Sequence, residues 1–215
     1  MKKELLGRFR ISRTYLNPQK DDEILSIGCK EAVLESYLAG EVKSITAFDI
    51  DRKIIDANAE HISGITFEYG DIVRGTGYPA ESFDKILFLE VLEHLPVNTE
   101  EQALRESYRL LKTGGTMVIS TPNDTPAAKV MDPAHWLIGH RHYKPSAVRG
   151  MLEKAGFTVE EEYVGGGIIE LFWIPFFYLL LRLRLAGFVQ PLMDKIIDRE
   201  YRSPGFYTII FKCGK

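Results

Sequence analysis

The segment from Asp22 to Leu34, DEILSIGCKEAVL, constrains the fold of this chain more than any other part. Its apolar run Ile24 to Ile27 predicts a short buried strand, because β-branched residues fit a pleated sheet. Gly28 predicts a sharp turn, since a residue without Cβ lets the backbone approach a ligand closely. A helix is expected to open at Glu31, where a carboxylate suits the positive end of the helix dipole. This order predicts a ligand crevice at the carboxyl end of the strand.

Strands and helices alternate along the rest of the chain. Further strands are predicted at 44–49, 65–69, 83–89, 116–120, 157–164 and 206–211, and helices at 51–63, 99–111 and 144–155. Residues 121–143 contain three prolines and are expected to be irregular. The alternation predicts an α/β fold with a doubly wound, mostly parallel sheet.

Length and composition set the class of protein. A chain of 215 residues is expected to form a single domain over 1–215, with a polar lead-in at 1–22 and an apolar helical insertion at 166–204, before the last strand. The net charge of -3 predicts no nucleic-acid partner. Two distant cysteines, Cys29 and Cys213, form no disulfide framework, which suits a reducing cytoplasm. The basic start, MKKELLGRFR, lacks the apolar core of a secretory signal.

Acidic residues follow the predicted strands at the crevice. Asp49 lies 21 residues after Gly28, the spacing at which an acid accepts hydrogen bonds from ribose hydroxyls. A pyrophosphate would need the G-x-G-x-x-G arrangement, but the residues after Gly28 are CKEAV, so the second and third glycines are missing. Asp71 follows the third strand and could bond an adenine amino group. For Asp51, the simpler interpretation as a helix cap is favoured.

In these motifs the chain resembles the class I S-adenosylmethionine-dependent methyltransferases. The resemblance covers about residues 23–164 and rests on ILSIGCKEA, AFDID, EYGDI, FDKILFLEVLEHLP and LLKTGGTMVISTPN. It implies a seven-stranded, Rossmann-like sheet with an antiparallel last strand. It also implies S-adenosylmethionine as cofactor, with contacts from Gly28, Cys29, Asp49, Ile50, Asp71, Ile72 and Glu90. The branch it is most similar to is that of the ubiquinone-pathway, type 11 O-methyltransferases.

Two positions depart from the family pattern. The family usually carries an acid where Ser26 stands and a second glycine where Lys30 stands. Glu31 is the carboxylate expected to substitute for the missing acid. The departures keep a second hypothesis open, in which the chain is a non-catalytic binding module with a methyltransferase fold. A third hypothesis, a nicotinamide-dependent oxidoreductase, is disfavoured by the missing phosphate glycines.

The sequence EVLEH, after the fourth strand, carries the candidate catalytic residues Glu90, Glu93 and His94. His94 could act as a general base, because an unperturbed imidazole titrates near neutral pH. Alternatively, the three side chains could share a divalent cation, and mixed oxygen and imidazole ligands suit Mg²⁺ or Mn²⁺. A third interpretation gives these residues no chemistry beyond shaping the pocket, since methyl transfer can depend mainly on positioning.

ExxEH also resembles the metal motif of small-RNA 2′-O-methyltransferases and of ubiquinone-pathway O-methyltransferases. In those families a later histidine completes the cluster, and His140 is the candidate here among the histidines of HWLIGHRHY. The next residues, Arg141, His142 and Tyr143, resemble a loop that borders the acceptor pocket, which predicts substrate contacts. The alternative is a solvated loop without contact to substrate.

The apolar segment from Ile168 to Phe188 has three open explanations. Leu171 to Leu181 is eleven residues without a charge, too short for the roughly 20 residues that span a bilayer. Pro175 is expected to open a helix and Gly187 to end it. Residues 168–200 could pack as core or a homodimer interface, roof a hydrophobic acceptor site, or contact a membrane peripherally with Arg182 and Arg184 at the headgroups.

These predictions combine into one leading hypothesis. The chain is expected to be a cytoplasmic methyltransferase, with possible peripheral membrane association. It would transfer the methyl group of S-adenosylmethionine to an oxygen of a small, hydrophobic or lipid-linked acceptor.

Overall fold

The structure is a computed structural model that describes residues 4–182 and 185–215. The strands of this part are β1 (Glu23–Ile27), β2 (Ser44–Asp49), β3 (Thr66–Tyr69), β4 (Phe83–Leu89), β5 (Leu111–Pro122), β6 (Thr158–Gly165) and β7 (Thr208–Gly214). The helices are α1 (Gly7–Leu16), α2 (Val33–Leu38), α3 (Arg52–His61), α4 (Glu100–Leu110), α5 (Pro126–Met131), α6 (Pro133–Ile138), α7 (Pro145–Ala155), α8 (Ile168–Arg182) and α9 (Ala186–Glu200). Short 3₁₀ turns cover Ile72–Arg74 and Leu92–His94.

The strands form one seven-stranded sheet in the order β3-β2-β1-β4-β5-β7-β6. Strands β1 to β5 pair in parallel, and β7 is antiparallel to both β5 and β6. The predicted mostly parallel, doubly wound sheet is therefore confirmed. The strand order reverses between β1 and β4, and a ligand crevice is expected outside the carboxyl ends of these two strands.

Both faces of the sheet are covered. On β4, Ile86 and Phe88 pack into a core with α4 and α7, while Leu87 between them packs into the opposite core with α1, α2 and α9. Alternate side chains of a strand point to opposite faces, so burial on both sides explains the near-continuous apolar run of 83–89.

The polar lead-in contains helix α1, which packs on the sheet. Ser12 and Leu16 are fully buried, and the segment is tied to α9 through Asp198. Oδ1 of Asp198 accepts hydrogen bonds from the amide of Gly7 at 2.8 Å and from Nε of Arg10 at 3.0 Å. Arg10 and Asp198 are nearly 190 positions apart in the chain, and their ion pair holds the polar N-terminal segment against α9.

Two element predictions were wrong near the site. Helix α2 begins at Val33 instead of Glu31, because Lys30 and Ala32 have the positive φ angles of 43° and 49°. Residues 121–143, expected to be irregular, contain α5 and α6. Each of these helices begins at a proline directly after a capping side chain, Thr125 or Asp132.

The C-terminal helices also differ from their predicted ends. Pro175 lies inside α8 and Gly187 lies inside α9, so neither residue opens or ends a helix as expected. Trp173 and Leu180 of α8 pack into the core with α1 and α9, and Leu171 packs on another side against Ala128 of α5. This tertiary packing outweighs the local helix-breaking signal. Among the described residues, we find no helix with the length and apolar character needed to cross a membrane. The role predicted for Arg184 lies outside the described residues.

Candidate functional site

Gly28 makes the turn after β1. Its φ is +72°, and its amide donates a hydrogen bond to the carbonyl oxygen of Phe48 at 2.8 Å. A Cβ built on Gly28 would overlap Cγ2 of Val91, which follows Glu90 at the end of β4. Only glycine fits this position without strain, and the turn is in direct contact with the predicted acidic motif.

The turn keeps a left-handed backbone although its other glycines are missing. Lys30 and Ala32 hold φ values of 43° and 49°, and the amide of Lys30 donates to Oδ2 of Asp49 at 3.2 Å. Such a conformation costs a residue with a side chain about 1 to 2 kcal/mol. Strain that the surrounding structure maintains is often found at ligand sites.

Replacing Lys30 with glycine is expected to stabilise the protein. Lys30→Gly removes the left-handed penalty and should raise the free energy of unfolding by about 1 kcal/mol. The exposed ion pair with Glu31, at 3.9 Å, contributes little. Urea unfolding measures the change. Lys53→Gly, on the exposed face of α3, is the matched control and should destabilise by about 1 kcal/mol. Equal losses in both variants would contradict the argument.

The family acid missing at Ser26 has a buried counterpart, though not the predicted one. Glu31 is exposed and pairs with Lys30. The hydroxyl of Ser26 instead donates a hydrogen bond to Oε1 of Glu35, on the first turn of α2. Both side chains are buried, and burial raises the pKa of Glu35. A carboxyl group is thus present beneath the glycine turn, but it comes from the helix.

The predicted cofactor residues lie at the ends of β1, β2 and β3. Asp49 spans the turn, since its Oδ1 also accepts from the amide of Asp51 at 2.9 Å. Ile50 is 63% exposed beside it. Asp71 caps the 3₁₀ turn of 72–74 through the amide of Val73 at 2.9 Å. Ile72 and Cys29 are buried, and burial raises the pKa of the Cys29 thiol to about 12.

The acidic residues after β4 are held by β5. The hydroxyl of Ser120 donates to Oε1 of Glu90 at 2.6 Å, and that of Thr121 donates to Oε2 of Glu93 at 2.9 Å. Glu90 has the positive φ of 56°, another strained position at this edge of the sheet. Sequence reasoning missed Ser120 and Thr121. The sequence feature that could have identified them is the pair of hydroxyl residues near the end of β5, the strand that pairs with β4 and so lies beside EVLEH.

Glu93, His94 and His140 lie close together in the structure. One ligand atom from each residue lies within 4.8 Å of the others. The rings of His94 and His140 have centroids 4.6 Å apart, and Nε2 of His140 is 3.7 Å from Oε1 of Glu93. The structure therefore brings a distant histidine to EVLEH, over 46 residues of chain.

The charges of this cluster depend on burial. Burial and the charge of Glu90 raise the pKa of Glu93 to about 7. Burial would lower the pKa of His140, but its hydrogen bond to Asp132 and the nearby carboxylate of Glu93 raise it to about 9. Burial and the nearby His140 lower the pKa of His94. His94 is therefore available in its neutral form, as a base or a ligand.

The donor set fits a divalent cation. Oε1 of Glu93 is buried and has no hydrogen-bond partner in the described part of the chain, which is unusual for a carboxylate. It faces two imidazoles, and Glu90 adds a further carboxylate beside them. Oxygen and imidazole donors suit Mn²⁺ well and Mg²⁺ through their oxygens. Glu93, His94 and His140 could hold such an ion, with Glu90 next to it.

The three predicted substrate residues are engaged elsewhere. The guanidinium of Arg141 pairs with Glu100 and donates to the carbonyl oxygens of Leu92 and Leu95. The hydroxyl of Tyr143 donates to Glu100 at 3.1 Å. The side chain of His142 is fully enclosed. The contacts of Arg141 and Tyr143 hold the 3₁₀ turn that carries Glu93 and His94.

Helix α1 adds a cation that sequence reasoning missed. Nη1 of Arg8 lies 3.9 Å from Oε1 of Glu170, at the start of α8. Nε of Arg8 and Oε2 of Glu170 are buried without a hydrogen-bond partner among the described residues. The charge of Glu90 raises the pKa of both groups, so the pair lies near Glu90.

Comparison with known proteins gives the family. A family model described as a methyltransferase domain matches residues 4–162. A ubiquinone biosynthesis O-methyltransferase of Xanthomonas axonopodis pv. citri (strain 306) is 29% identical over 153 residues, 64% of this chain. The chain spans 63% of the length of that relative.

Solved structures share the fold. A SAM-dependent methyltransferase from Archaeoglobus fulgidus aligns with a TM-score of 0.68 and 17% identity, covering 97% of this chain and 91% of that one. The [4+2]-cyclase SpnF aligns with a TM-score of 0.69 and 17% identity, covering 97% of this chain and 80% of that one. The match over residues 4–162 covers most of the chain. The chain therefore belongs to the class I S-adenosylmethionine-dependent methyltransferase family.

Proposed function

We propose that this protein transfers the methyl group of S-adenosylmethionine to an oxygen atom of a small hydrophobic acceptor. One observation carries the proposal. The glycine turn and the acidic motif are in contact, because Val91 of EVLEH lies against Gly28. A cofactor held by Gly28 and Asp49 would end beside Glu90, Glu93 and His94. Methyl transfer needs this end-to-end arrangement of donor and acceptor.

Oxygen is the favoured acceptor atom for two reasons. The curated relative from Xanthomonas is named for O-methylation. A hydroxyl is also a poor nucleophile until its proton is weakened, and this chain places candidate groups for that task together. A divalent ion held by Glu93, His94 and His140 would polarise the acceptor hydroxyl as a Lewis acid. If no ion is bound, His94, on the exposed side of the cluster, is the residue best placed to accept the proton.

An apolar cavity supports a hydrophobic acceptor. It measures about 460 Å³ and is lined by Ile168, Ile169, Phe172, Trp173, Phe176, Val189 and Met193 of helices α8 and α9. Its lining includes Ile169, which directly precedes Glu170, the partner of Arg8. An aliphatic chain bound in this groove would leave its hydroxylated end toward Glu90.

Part of α8 is apolar but uncovered. Phe172 is 60% exposed, Phe176 49% and Leu192 of α9 63%. Phe172 and Phe176 are one helical turn apart, so they share one face. A helix that is apolar on all sides is usually buried in protein or lipid. We therefore propose that this face contacts a lipid surface from which a hydrophobic acceptor is taken.

Flotation with anionic liposomes tests the lipid contact. The wild-type protein should float, and the triple variant of Phe172, Phe176 and Leu192 to Ser should not. Val97→Ser removes an exposed apolar side chain elsewhere and should float like wild type. The triple variant leaves Leu180 of α8 unchanged, because its side chain is buried. If wild type does not float but sediments as a dimer that the triple variant loses, the face is a homodimer interface instead.

The methyl-transfer proposal is tested with labelled cofactor and paired acceptors. Phenols and the matching anilines, each with and without a long alkyl chain, are incubated with S-adenosylmethionine carrying a tritiated methyl group. We expect O-methyl ethers as products and a lower KM for the alkyl phenols. Transfer only to anilines would overturn the choice of oxygen. Tight S-adenosylhomocysteine binding without transfer to any acceptor would favour the non-catalytic binding module.

A further inference from the structure

We propose that Asp132 is a positioning residue, whose carboxylate orients His140 so that Nε2 faces the cation site formed with Glu93 and His94. The inference rests on the proposed function, because it assigns the support of that site. Asp132 belongs to none of the motifs that identify the family. It lies eight positions before His140, at the junction of α5 and α6.

The two nitrogens of His140 face different carboxylates. Nδ1 lies 2.6 Å from Oδ2 of Asp132, and Nε2 lies 3.7 Å from Oε1 of Glu93. Two atoms that bind one ion at about 2.1 Å and a right angle are about 3.0 Å apart. The distance to Asp132 is too short for a shared ion and suits a charge-assisted hydrogen bond. The distance to Glu93 leaves room for an ion.

The same distances decide between two possible clusters. Asp132, His140 and His142 also have ligand atoms within 4.8 Å of one another. An ion in that cluster would have to separate Nδ1 of His140 from Asp132 and break their hydrogen bond. An ion beside Glu93 leaves that bond intact. The geometry therefore assigns Asp132 to the support of the ligand, and His140 to the ion.

Asp132 is itself held rigidly. Its Oδ1 accepts a hydrogen bond from the amide of Ala134 at 2.9 Å, which caps α6. Its Oδ2 is left for His140, with the enclosed ring of His142 3.4 Å away. The amide of His140 in turn donates to the carbonyl oxygen of Ala134 at 3.2 Å, and this bond links His140 to the first turn of α6. A carboxylate behind a ligating histidine fixes its tautomer and increases its basicity.

The substitution Asp132→Asn tests the role without a change of shape. The amide of Ala134 needs an acceptor, so the side-chain oxygen of the asparagine stays there and its NH₂ group faces His140. Nδ1 of His140 must then accept a hydrogen bond, and its proton moves to Nε2, the ligand atom. We expect the affinity for Mn²⁺, measured by calorimetry, to fall about 10- to 100-fold. The affinity for S-adenosylhomocysteine should stay unchanged, and the Tm should fall, because the charge-assisted hydrogen bond between Asp132 and His140 is lost.

A second readout does not depend on any metal. Nitrogen-15 NMR of neutral His140 should show the proton on Nδ1 in wild type and on Nε2 in Asp132→Asn. Asp124→Asn removes a carboxylate that pairs with Lys129 in the same segment, and it should change neither readout. If the asparagine variant unfolds, Asp132→Ser keeps a capping hydroxyl but cannot reach His140, and it should lose Mn²⁺ affinity equally.

The outcomes separate this inference from the proposed cation site. If wild type binds no Mn²⁺, the cation site fails, and the inference fails with it. If wild type binds Mn²⁺ and Asp132→Asn binds it equally well, the site stands and the inference is overturned. A His140 that stays protonated on Nδ1 in the variant overturns it as well.

Discussion

Replacing Asp49 with alanine is expected to weaken S-adenosylhomocysteine binding by about 100-fold or more. Asp49 ends β2 at the glycine turn, where its two oxygens accept from the amides of Lys30 and Asp51. Each carboxylate oxygen of Asp49 has a further lone pair, so the two oxygens can accept hydrogen bonds from the two ribose hydroxyls. A hydrogen bond to a charged group contributes about 1.5 to 3 kcal/mol, so losing two gives at least this factor. Calorimetric titration of the purified protein measures the change.

The matched control for Asp49→Ala is Asp51→Asn. Asp51 is exposed two positions away and caps α3 through the amide of Lys53, a role that asparagine also fills. Its binding should equal that of wild type. Asp49→Asn should lie between the two, because an amide oxygen accepts but its NH₂ group does not. Unchanged affinity in Asp49→Ala, in a folded protein, would show that the cofactor lies elsewhere.

Replacing Glu93 with glutamine is expected to abolish binding of a divalent cation and most turnover. Glutamine keeps the shape and the hydrogen bond from Thr121, but it lacks the charge. Even outer-shell partners of a metal change affinity about 10- to 100-fold, so a direct ligand should exceed that range. Calorimetry with Mn²⁺ measures binding. Turnover of the wild type should also disappear with chelator and return with added Mn²⁺ or Mg²⁺.

Glu60→Gln provides the control for charge alone, since Glu60 is exposed on α3. It should bind Mn²⁺ as wild type does. Turnover that is indifferent to chelator would reject the metal role. In that case a large loss of turnover in a His94→Gln variant would identify His94 as a sole general base, and a small loss would leave the cluster with orientation alone.

The local sequence was sufficient to predict which strand ends and turns form the site. Gly28, Asp49 and EVLEH were recognisable because each belongs to one short element, and the alternation of elements places all of them at the same edge of a parallel sheet. His140 could be chosen only by resemblance, because no periodicity connects it to Glu93. The glycine turn illustrates the limit. Lys30 suggests a broken turn in sequence, whereas the backbone keeps its left-handed form there.

By itself, the sequence determined the fold class, the crevice and the candidate acids. These follow from patterns within a few residues, where side-chain type and backbone preference decide the element. Only the tertiary structure decided which groups support them: Glu35 beneath Ser26, Asp132 behind His140, and Arg8 opposite Glu170. Arg8 and Glu170 lie far apart in the chain, and none of the three pairs carries a local signature. Such pairs form because a buried charge or hydroxyl must find a partner wherever the packed elements bring one.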